Sequence, residues 1–414
     1  MLSEMKRLVE INAAANYGST GRIAEAIGLM ARREGWECTM VHGPRYVNPS
    51  QLPCICTQGK LGDRMHGVRS LLLDGHGLGS KHATERLVRR LDALQPDVVH
   101  LHNVHGYYLN YEVLFRWLQR ADCKVVWTLH DCWSFTGHCT HFDFIGCDRW
   151  KSGCHDCPQL MVYPRSLFVD RTRRNYELKR ELFTSLGDRL TLVPVSHWLE
   201  GLVNESFFKG AAVQTIYNGI DTNVFCLRGN KPARDYVLGV ASPWCERKGF
   251  NDFIALRSEL PADVDIVLVG LTRKQVEALP DGIVGIERTQ NVDQLAELYS
   301  GATLFANPTY EDNFPTTNLE AMACGTPVVT YRTGGSPEAV TSETGFVVNK
   351  GNIKAIADAL QAVRGRGKEK YEEACRQRAV TCFNKDDRYA DYVRLYNRVC
   401  QRRTHIAALW RIWK

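Results

Sequence analysis

Short apolar runs alternate along the chain with segments in which apolar residues recur every three or four positions. Arg7–Ala13 is the first run of strand length, and the segment Gly21–Glu34 after it places Ile23, Ile27 and Ala31 on one helix face. Further helices are predicted near Thr84–Leu94, Tyr111–Arg120 and Thr172–Phe183. The predicted strands are Arg7–Ala13, Trp36–His42, Asp97–His102, Lys124–Leu129, Leu190–Ser196, Val213–Tyr217, Tyr236–Ala241, Asp265–Val269, Gly282–Ile286, Thr303–Ala306, Pro327–Thr330 and Gly345–Val348.

Repeated strand–helix units with short connections predict parallel sheets with helices on both faces. The series stops at the polar stretch Leu227–Arg234 and then starts again. We therefore expect an α/β chain with two Rossmann-like, doubly wound domains at residues 1–226 and 234–390, and a Cys- and His-rich insert in the first at about 131–158. Residues 391–414 are predicted to form a basic helix that returns to the first domain.

Length and charge narrow the class of protein. A chain of 414 residues suits two domains, because single cores rarely grow beyond about 250–300 residues. The 52 basic and 46 acidic residues give a formal charge of +6, which is too mild to predict a nucleic-acid partner. No apolar run reaches the roughly 18 residues of a membrane span, and the first ten residues lack a signal-peptide core. We therefore expect a cytoplasmic protein, open to peripheral contact with the inner face of the cytoplasmic membrane.

The first predicted strand leads into a glycine-containing turn directly before a helix. Gly18, Ser19, Thr20 and Gly21 make up this turn, and a helix N-terminus favours an anion. Only two glycines are present, so the match to a dinucleotide fingerprint is partial. A plain strand-to-helix turn, with Ser19 or Thr20 as N-cap, remains the alternative.

Histidines follow two neighbouring strands of the first domain. His100, His102 and His105 are individually interpreted as structural, because a lone histidine more often completes a core than a site. His130 closes the strand Lys124–Leu129 beside Asp131, where parallel sheets bind ligands. Its ring could donate a hydrogen bond to a sugar hydroxyl or to developing negative charge.

The stretch from Asn307 to Thr330, NPTYEDNFPTTNLEAMACGTPVVT, carries the most information. It leaves a strand, passes through a proline-containing loop and enters a helix, with Asp312 before the helix and Glu320 eight positions later. The loop residues between them, Asn313, Phe314, Pro315 and Thr316, would present N–H groups to a diphosphate. An acidic turn followed by a core helix is the alternative.

This stretch resembles the acid-x7-acid signature of family 4 retaining glycosyltransferases, and the resemblance runs over nearly the whole chain. It implies the GT-B fold, with an acceptor domain and a nucleotide-sugar domain facing across a cleft. By that resemblance Glu320 holds the ribose and Asp312, in place of the usual glutamate, faces the donor sugar. The loop Phe314–Thr316 binds the diphosphate and the sugar, His130 is the active-site histidine, and Gly18–Gly21 lies near the donor phosphates.

One position departs from the family pattern. The family usually pairs an arginine and a lysine on the diphosphate, and this chain retains Lys248 and Gly249 but has Pro243 where the arginine is expected. Arg247 is the candidate replacement. Two cations could neutralise the leaving group as a metal does elsewhere; a solvated lysine at a helix start is the alternative for Lys248.

The stretches TLHDCWSFTGHC and CDRWKSGCHDCP resemble the exopolysaccharide subgroup, including transferases of colanic-acid type. That likeness implies a retaining transfer from a UDP- or GDP-sugar to a glycan or lipid-linked oligosaccharide. No cofactor is expected for catalysis. Asp263-Val264-Asp265 precedes a strand, so we interpret it as a turn and not as a metal-binding acid pair.

Fifteen cysteines in a chain without a secretion signal predict thiols or metal ligands instead of a disulfide framework. Cys139, Cys147, Cys154 and Cys157 are candidate ligands of a structural zinc, with Cys154-x2-Cys157 as the knuckle. Seven residues separate the first pair, which is wide for such a site. Free buried thiols and a disulfide therefore remain alternatives.

Two basic segments are candidates for contact with anionic lipid. One is the region Arg165–Arg180, and the other is the tail, where Trp410 and Trp413 lie among cations. Solvated helix faces are the alternative for both. The alternative functions for the whole chain are a nucleotide-sugar 2-epimerase of the same fold and a non-catalytic nucleotide-sugar-binding protein.

Overall fold

The computed structural model describes residues 5–229 and 232–412, and for residues 402–412 it describes the backbone only. Two compact units divide the chain. We call residues up to Ile216, together with the chain from Arg388 onwards, unit 1, and we call Tyr217–Asp387 unit 2.

Unit 1 is built on a seven-stranded sheet in which every neighbouring pair is parallel, in the order β3-β2-β1-β4-β5-β6-β7. Its strands are β1 (Arg7–Ile11), β2 (Glu37–His42), β3 (Cys54–Cys56), β4 (Val98–Leu101), β5 (Lys124–Leu129), β6 (Leu190–Pro194) and β7 (Ala212–Val213). Its helices are α1 (Gly18–Arg33), α2 (Lys60–Leu73), α3 (Lys81–Leu94), α4 (Tyr111–Arg120), α5 (Thr172–Thr184) and α6 (His197–Glu205).

Unit 2 repeats the plan with six parallel strands in the order β10-β9-β8-β11-β12-β13. Its strands are β8 (Asp235–Val240), β9 (Val264–Val269), β10 (Ile283–Ile286), β11 (Leu304–Asn307), β12 (Val328–Tyr331) and β13 (Gly345–Val348). Its helices are α7 (Phe250–Glu259), α8 (Arg273–Glu277), α9 (Val292–Gly301), α10 (Thr316–Ala323), α11 (Ser336–Ala339), α12 (Ile353–Arg366) and α13 (Glu369–Phe383).

The final helix, α14 (Lys385–Ile412), completes the core of unit 1. Tyr396 is fully buried; its ring packs edge-on against Trp36 at 5.7 Å and its hydroxyl lies 2.6 Å from Nδ1 of His100. Tyr392 and Val393 enter the same apolar cluster as α1 and β1. The predicted contribution of Trp410 and Trp413 to a basic surface lies outside the described side chains.

The strand sequences explain both sheets. Strands such as Val98–Leu101 are buried at every position, as parallel strands covered on both faces are. The predicted fold class, two Rossmann-like domains with parallel sheets, is confirmed. The sequence pattern missed β3 and α2, because β3 has only three residues and α2 buries its polar side. Among the described residues, no helix combines the length and the apolar character that a membrane span requires.

Candidate active site

The acidic segment of unit 2 connects β11 to α10 at the carboxyl end of the sheet. The strand ends at Asn307, and α10 begins at Thr316 with Pro315 as its N-cap residue. No side chain caps this helix and no acid lies in its first turn, so its N-terminal N–H groups favour an anion. The predicted site for a diphosphate is therefore a real helix N-terminus at a sheet edge.

Backbone contacts and a glycine hold the loop before α10. The N–H of Tyr310 donates to the carbonyl of Arg247 at 2.9 Å, and the N–H of Gly335 donates to the carbonyl of Asn313 at 3.1 Å. Gly334 has a φ of +50°, and a Cβ there would lie 1.7 Å from the carbonyl oxygen of Asp312. Any side chain at position 334 would therefore displace the loop that carries Asp312.

Two cations of unit 2 face two carboxylates of this loop. The Nζ of Lys248 lies 2.6 Å from Oδ2 of Asp312, and Nη1 of Arg247 lies 3.1 Å from Oε2 of Glu311. Glu311 is only 4% exposed, whereas Lys248 and Asp312 each keep about a quarter of their side chains exposed. The structure thus brings together Lys248, Arg247 and Asp312, three residues of the predicted donor site, and it adds Glu311, which the sequence reasoning passed over.

A buried tryptophan follows Pro243, the position that departs from the family pattern. Trp244 is buried, and its Nε1–H donates to the carbonyl of Val269 at 2.8 Å. Arg247 lies in the short 3₁₀ turn Glu246–Lys248 that precedes α7, next to Lys248. This chain therefore places its two cations in one turn.

Glu320 lies half-buried on α10, where the hydroxyl of Tyr299 donates to its Oε2 at 3.0 Å. Tyr299 is fully buried, and burial together with the neighbouring Glu320 raises its pKa well above the ordinary value. A neutral phenol that donates to a carboxylate fixes the direction in which that carboxylate accepts other hydrogen bonds. Tyr299 was not singled out from the sequence, where a tyrosine in a helical pattern carries no signal of such a role.

Phe314 supports the loop through its side chain. It is buried, stacks on Tyr217 at 4.8 Å and accepts, through its carbonyl, a hydrogen bond from Asn218 at 3.3 Å. Phe314 therefore contributes as an anchor for its own backbone, and not as an exposed contact.

The glycine turn of unit 1 is a helix N-terminus. α1 begins at Gly18 with Tyr17 as N-cap residue and no side-chain cap; Ser19 and Thr20 already lie inside the helix. The alternative in which Ser19 or Thr20 caps the helix is therefore wrong. Gly21 is buried where a Cβ would lie 3.3 Å from Ala14, so this glycine allows close packing of the helix on the loop before it.

His130 directly follows β5 and is the outer member of a hydrogen-bonded chain. Its Nε2 lies 3.1 Å from Nδ1 of His102, whose Nε2 lies 2.7 Å from Oε2 of Glu10. The same Glu10 oxygen lies 3.1 Å from Nδ1 of His100. Glu10 is an acid inside the buried strand β1, and that anomaly was the available sequence signal for a residue that the reasoning missed.

The pKa values of Glu10, His102 and His130 determine which atoms of this hydrogen-bonded series carry protons. Burial alone would raise the pKa of Glu10, but His100 and His102 outweigh it and lower the pKa to about 2. Burial lowers the pKa of His102 to about 4 and that of His130 well below its ordinary value. At neutral pH an ionised Glu10 accepts the Nε2 proton of a neutral His102, whose bare Nδ1 then accepts from Nε2–H of His130. The chain therefore selects one tautomer of His130.

His105 pairs with the acid that follows His130. Its Nε2 lies 2.7 Å from Oδ2 of Asp131. Burial raises the pKa of Asp131, and the interaction with His105 outweighs that effect and lowers it to about 2. The structural interpretation of His100, His102 and His105 agrees with these buried hydrogen bonds.

The four candidate zinc ligands interact with one another: Cys139 with Cys154 and Cys157, and Cys154 with Cys147. The thiol of Cys139 hydrogen-bonds the sulfur of Cys157, and this contact lowers the pKa of Cys157 to about 7. Sulfurs around one zinc ion lie about 3.8 Å apart, given Zn–S bonds near 2.3 Å. Among the described residues, the one group of three potential ligands that meet within 4.8 Å is Glu10, His100 and His102, whose contacts are hydrogen bonds. A structural zinc on Cys139, Cys147, Cys154 and Cys157 stays a prediction.

Two family models match the chain in succession. The model described as Glycosyltransferase Family 4 matches residues 21–224, and the model described as Glycosyl transferases group 1 matches residues 234–364. A relative with 26% identity over 336 residues is the glycosyl transferase WcaC of Escherichia coli (strain K12), assigned provisionally to colanic acid biosynthesis. The alignment covers 73% of this chain and 76% of WcaC.

Solved structures give the same fold. The sucrose-phosphate synthase from Thermosynechococcus elongatus superimposes with a TM-score of 0.69 at 18% identity, covering 95% of this chain and 99% of that one. Anabaena Alr3699/HepE in complex with UDP superimposes with a TM-score of 0.64 at 15% identity, covering 95% and 100%. At these identities the likeness establishes the fold alone.

The two Rossmann-like units, with these family matches, define a glycosyltransferase of the GT-B class. Within that class, residues 21–224 match the model of glycosyltransferase family 4, and the similarity to WcaC confirms the predicted resemblance to colanic-acid-type transferases.

Proposed function

We propose that this glycosyltransferase transfers a sugar, with retention of configuration and without a divalent metal, from a UDP- or GDP-sugar to a saccharide acceptor. The observation that carries the proposal is the arrangement around α10. One short segment of unit 2, residues 307–323, carries the uncapped N-terminus of α10, Asp312 paired with Lys248, and Glu320 paired with Tyr299.

Each group has a definite task in this proposal. The α10 amides and Lys248, with Arg247 beside it, stabilise the diphosphate as charge develops on it. Lys248 then exchanges its bond to Asp312 for one to phosphate, and the released carboxylate of Asp312 accepts hydrogen bonds from sugar hydroxyls. Glu320, oriented by Tyr299, accepts the hydroxyls of the ribose. For unit 1 we propose, from the family resemblance, that His130 binds the sugar near its anomeric carbon and that the Gly18–Gly21 turn contributes to binding the donor phosphates.

Two features of this proposal, retention of configuration and catalysis without a divalent metal, are supported by chemical arguments. Two cations in one turn supply the charge that a divalent ion would otherwise bring to the leaving group. Asp263 pairs with Arg364 at 2.6 Å before β9, which agrees with a structural turn. A same-face attack in which the leaving phosphate takes the acceptor proton needs no covalent carboxylate, in contrast to retaining glycosidases.

The relatives support the proposed donor and acceptor classes. HepE was solved with UDP, which favours a uridine nucleotide, and the provisional role of WcaC favours a lipid-linked saccharide in surface polysaccharide assembly. A cytoplasmic enzyme acting at the inner membrane face fits that acceptor.

Calorimetric titration with UDP, GDP, ADP and dTDP, each with and without EDTA, tests the site. We expect selective binding that survives the chelator. Lys248→Ala should weaken binding about 10- to 100-fold, because a charge-assisted hydrogen bond contributes about 1.5–3 kcal/mol and Asp312 would then face the diphosphate unpaired. Lys274→Ala, an exposed lysine on α8, is the matched control. Equal affinity in Lys248→Ala and the wild type would refute the site.

Turnover is measured separately. The full chain is incubated with the donor that binds and with polyprenyl-diphosphate-linked mono- and disaccharides, and the anomeric coupling of the product is read by NMR. A product with inverted configuration, or a sugar epimerised in the absence of acceptor, would contradict the proposed reaction.

A further inference from the structure

Helix α2 of unit 1 is amphipathic, but its apolar side faces solvent and its polar side is buried. Its apolar residues Leu61, Met65, Val68 and Leu72 recur at i, i+4, i+7 and i+11 and are 73%, 64%, 49% and 38% exposed. A surface helix normally turns such a stripe towards the core. We call these four residues with Leu73 the α2 stripe.

Hydrogen bonds on the buried side of α2 fix this orientation. The residues that α2 buries are Asp63, His66 and Ser70. Asp63 pairs with Arg45, and Nδ1 of His66 lies 2.8 Å from Oγ of Ser80. Rotating α2 to bury the stripe would break these contacts. The stripe therefore faces solvent as part of the folded structure.

A second segment extends the apolar surface. The N–H of Leu167 donates to the carbonyl of Leu71 at 2.8 Å, which holds the segment 161–168 against α2. Phe168 is 77% exposed there, and Met161 and Val162 are both more than half exposed. Several large apolar side chains exposed on neighbouring segments mark a candidate interaction surface.

The charges on this surface are mainly positive. Lys60, Arg64, Arg69 and Arg165 are exposed, Asp63 is buried, and the one exposed acid beside the two segments is Asp170, whose carboxylate accepts from Cys157 and Thr172. Apolar side chains accompanied by cations complement a bilayer with anionic headgroups, because the apolar groups enter the interface while the cations meet phosphate. A partner protein with an acidic, apolar groove would need matched contours, whereas a lipid surface adapts to scattered residues.

We propose that the α2 stripe and the segment 161–168 dock unit 1 on an anionic membrane surface. The inference extends the proposed function, since a lipid-linked acceptor is presented at a membrane. It also revises the predicted lipid-contacting region Arg165–Arg180: Lys179 is buried and donates to the carbonyls of Trp133 and Thr136, so it is no part of this surface.

Co-sedimentation of the full chain with vesicles tests the proposal. The vesicles contain either 30% phosphatidylglycerol in phosphatidylcholine or phosphatidylcholine alone. We expect binding to the anionic vesicles only. The double variants Met65→Glu/Val68→Glu and Arg64→Glu/Arg69→Glu should each bind about tenfold more weakly or worse, since each surface cation is worth about a fivefold change.

Arg89→Glu/Arg90→Glu on α3 is the matched control for charge, because it makes the same change on another exposed helix face of unit 1. Binding that is equal in all variants, or absent in the wild type, would overturn the proposal. Self-association of the wild type that Met65→Glu/Val68→Glu abolishes would assign the surface to a second copy of the chain and would also overturn it. Each variant is also titrated with UDP. Vesicle binding is measured without turnover, so a failure of the membrane proposal and a failure of the donor-site proposal give different results.

Discussion

Acidification from pH 7 to pH 5 is expected to destabilise unit 1 and to leave unit 2 nearly unchanged. All 13 histidines lie outside residues 217–387, which form unit 2. In unit 1, burial lowers the pKa of His66 and His102 to about 4 and that of His76 and His130 well below the ordinary value. These four histidines stay neutral in the folded chain while the unfolded chain takes up protons.

The sign and size follow from proton linkage. A histidine whose folded pKa is below its unfolded value of 6.5 loses stability as the pH falls below 6.5, until the folded form also protonates near its own pKa. At pH 5 this costs about 2 kcal/mol for each of His66 and His102, or roughly 4 kcal/mol for the two relative to pH 7, and His76 and His130 act in the same direction. That sum is a large part of the ~5–15 kcal/mol that typically stabilises a domain. Asp63, whose pKa burial raises, acts weakly in the opposite sense.

Hydrogen exchange of the full chain at pH 7 and pH 5, corrected for intrinsic exchange rates and followed in low urea, measures this. Peptides from β1, β4 and β5 should lose protection at pH 5, and peptides from β8, β9 and β11 serve as the internal reference. In unit 2, Asp221 and Asp263 have lowered carboxyl pKa values. These carboxyl groups change charge only below about pH 4, so they do not contribute to the stability difference between pH 7 and pH 5. His102→Gln should reduce the pH dependence of unit 1 by about 2 kcal/mol. Equal loss of protection in both units, or none in either, would refute the reasoning.

Three further predictions concern single residues. Gly334→Ala should weaken UDP binding more than tenfold by calorimetry, because its Cβ would collide with the loop before α10; Gly351→Ala, which also has a positive φ but meets only an ordinary contact, should leave affinity unchanged. Glu10→Gln should allow both tautomers of His130, which would alter the ¹⁵N chemical shifts of its ring. Unchanged shifts would contradict the hydrogen-bonded chain from Glu10 through His102 to His130. Tyr299→Phe should lower the free energy of unfolding by about 1.5–3 kcal/mol in urea titrations, since it removes a hydrogen bond to a carboxylate; a stability equal to that of the wild type would contradict this.

The sequence carried much of the fold, because burial on both faces makes parallel strands read as continuous apolar runs. Lys124–Leu129 and Gly345–Val348 were predicted with their observed bounds. Helix α2 was missed because its stripe faces water and its polar side is buried, so its periodicity does not indicate a core-facing helix. Short strands such as β3 give too few alternating positions to be recognised.

The donor segment was predicted from its spacing, but its partners were not. Spacing along the chain placed Asp312 and Glu320, and it cannot show which side chains approach from other elements. Glu311 beside Arg247 and Tyr299 beside Glu320 depend on how the loop after β11 and helix α9 pack, which is a tertiary property. Glu10 was hidden in the same way: its partners come from β4, 90 residues away along the chain.

The packing of α14 has a consequence for the order in which the chain folds during synthesis. Unit 2 is one uninterrupted stretch, Tyr217–Asp387, so all of its residues have left the ribosome before α14 is complete. Unit 1 is translated first, yet its core lacks Tyr392, Val393 and Tyr396 until the last part of the chain emerges. The unit that is translated first therefore completes its core last. In the nascent protein, Trp36 and His100 lack the contacts of Tyr396 until α14 has been translated.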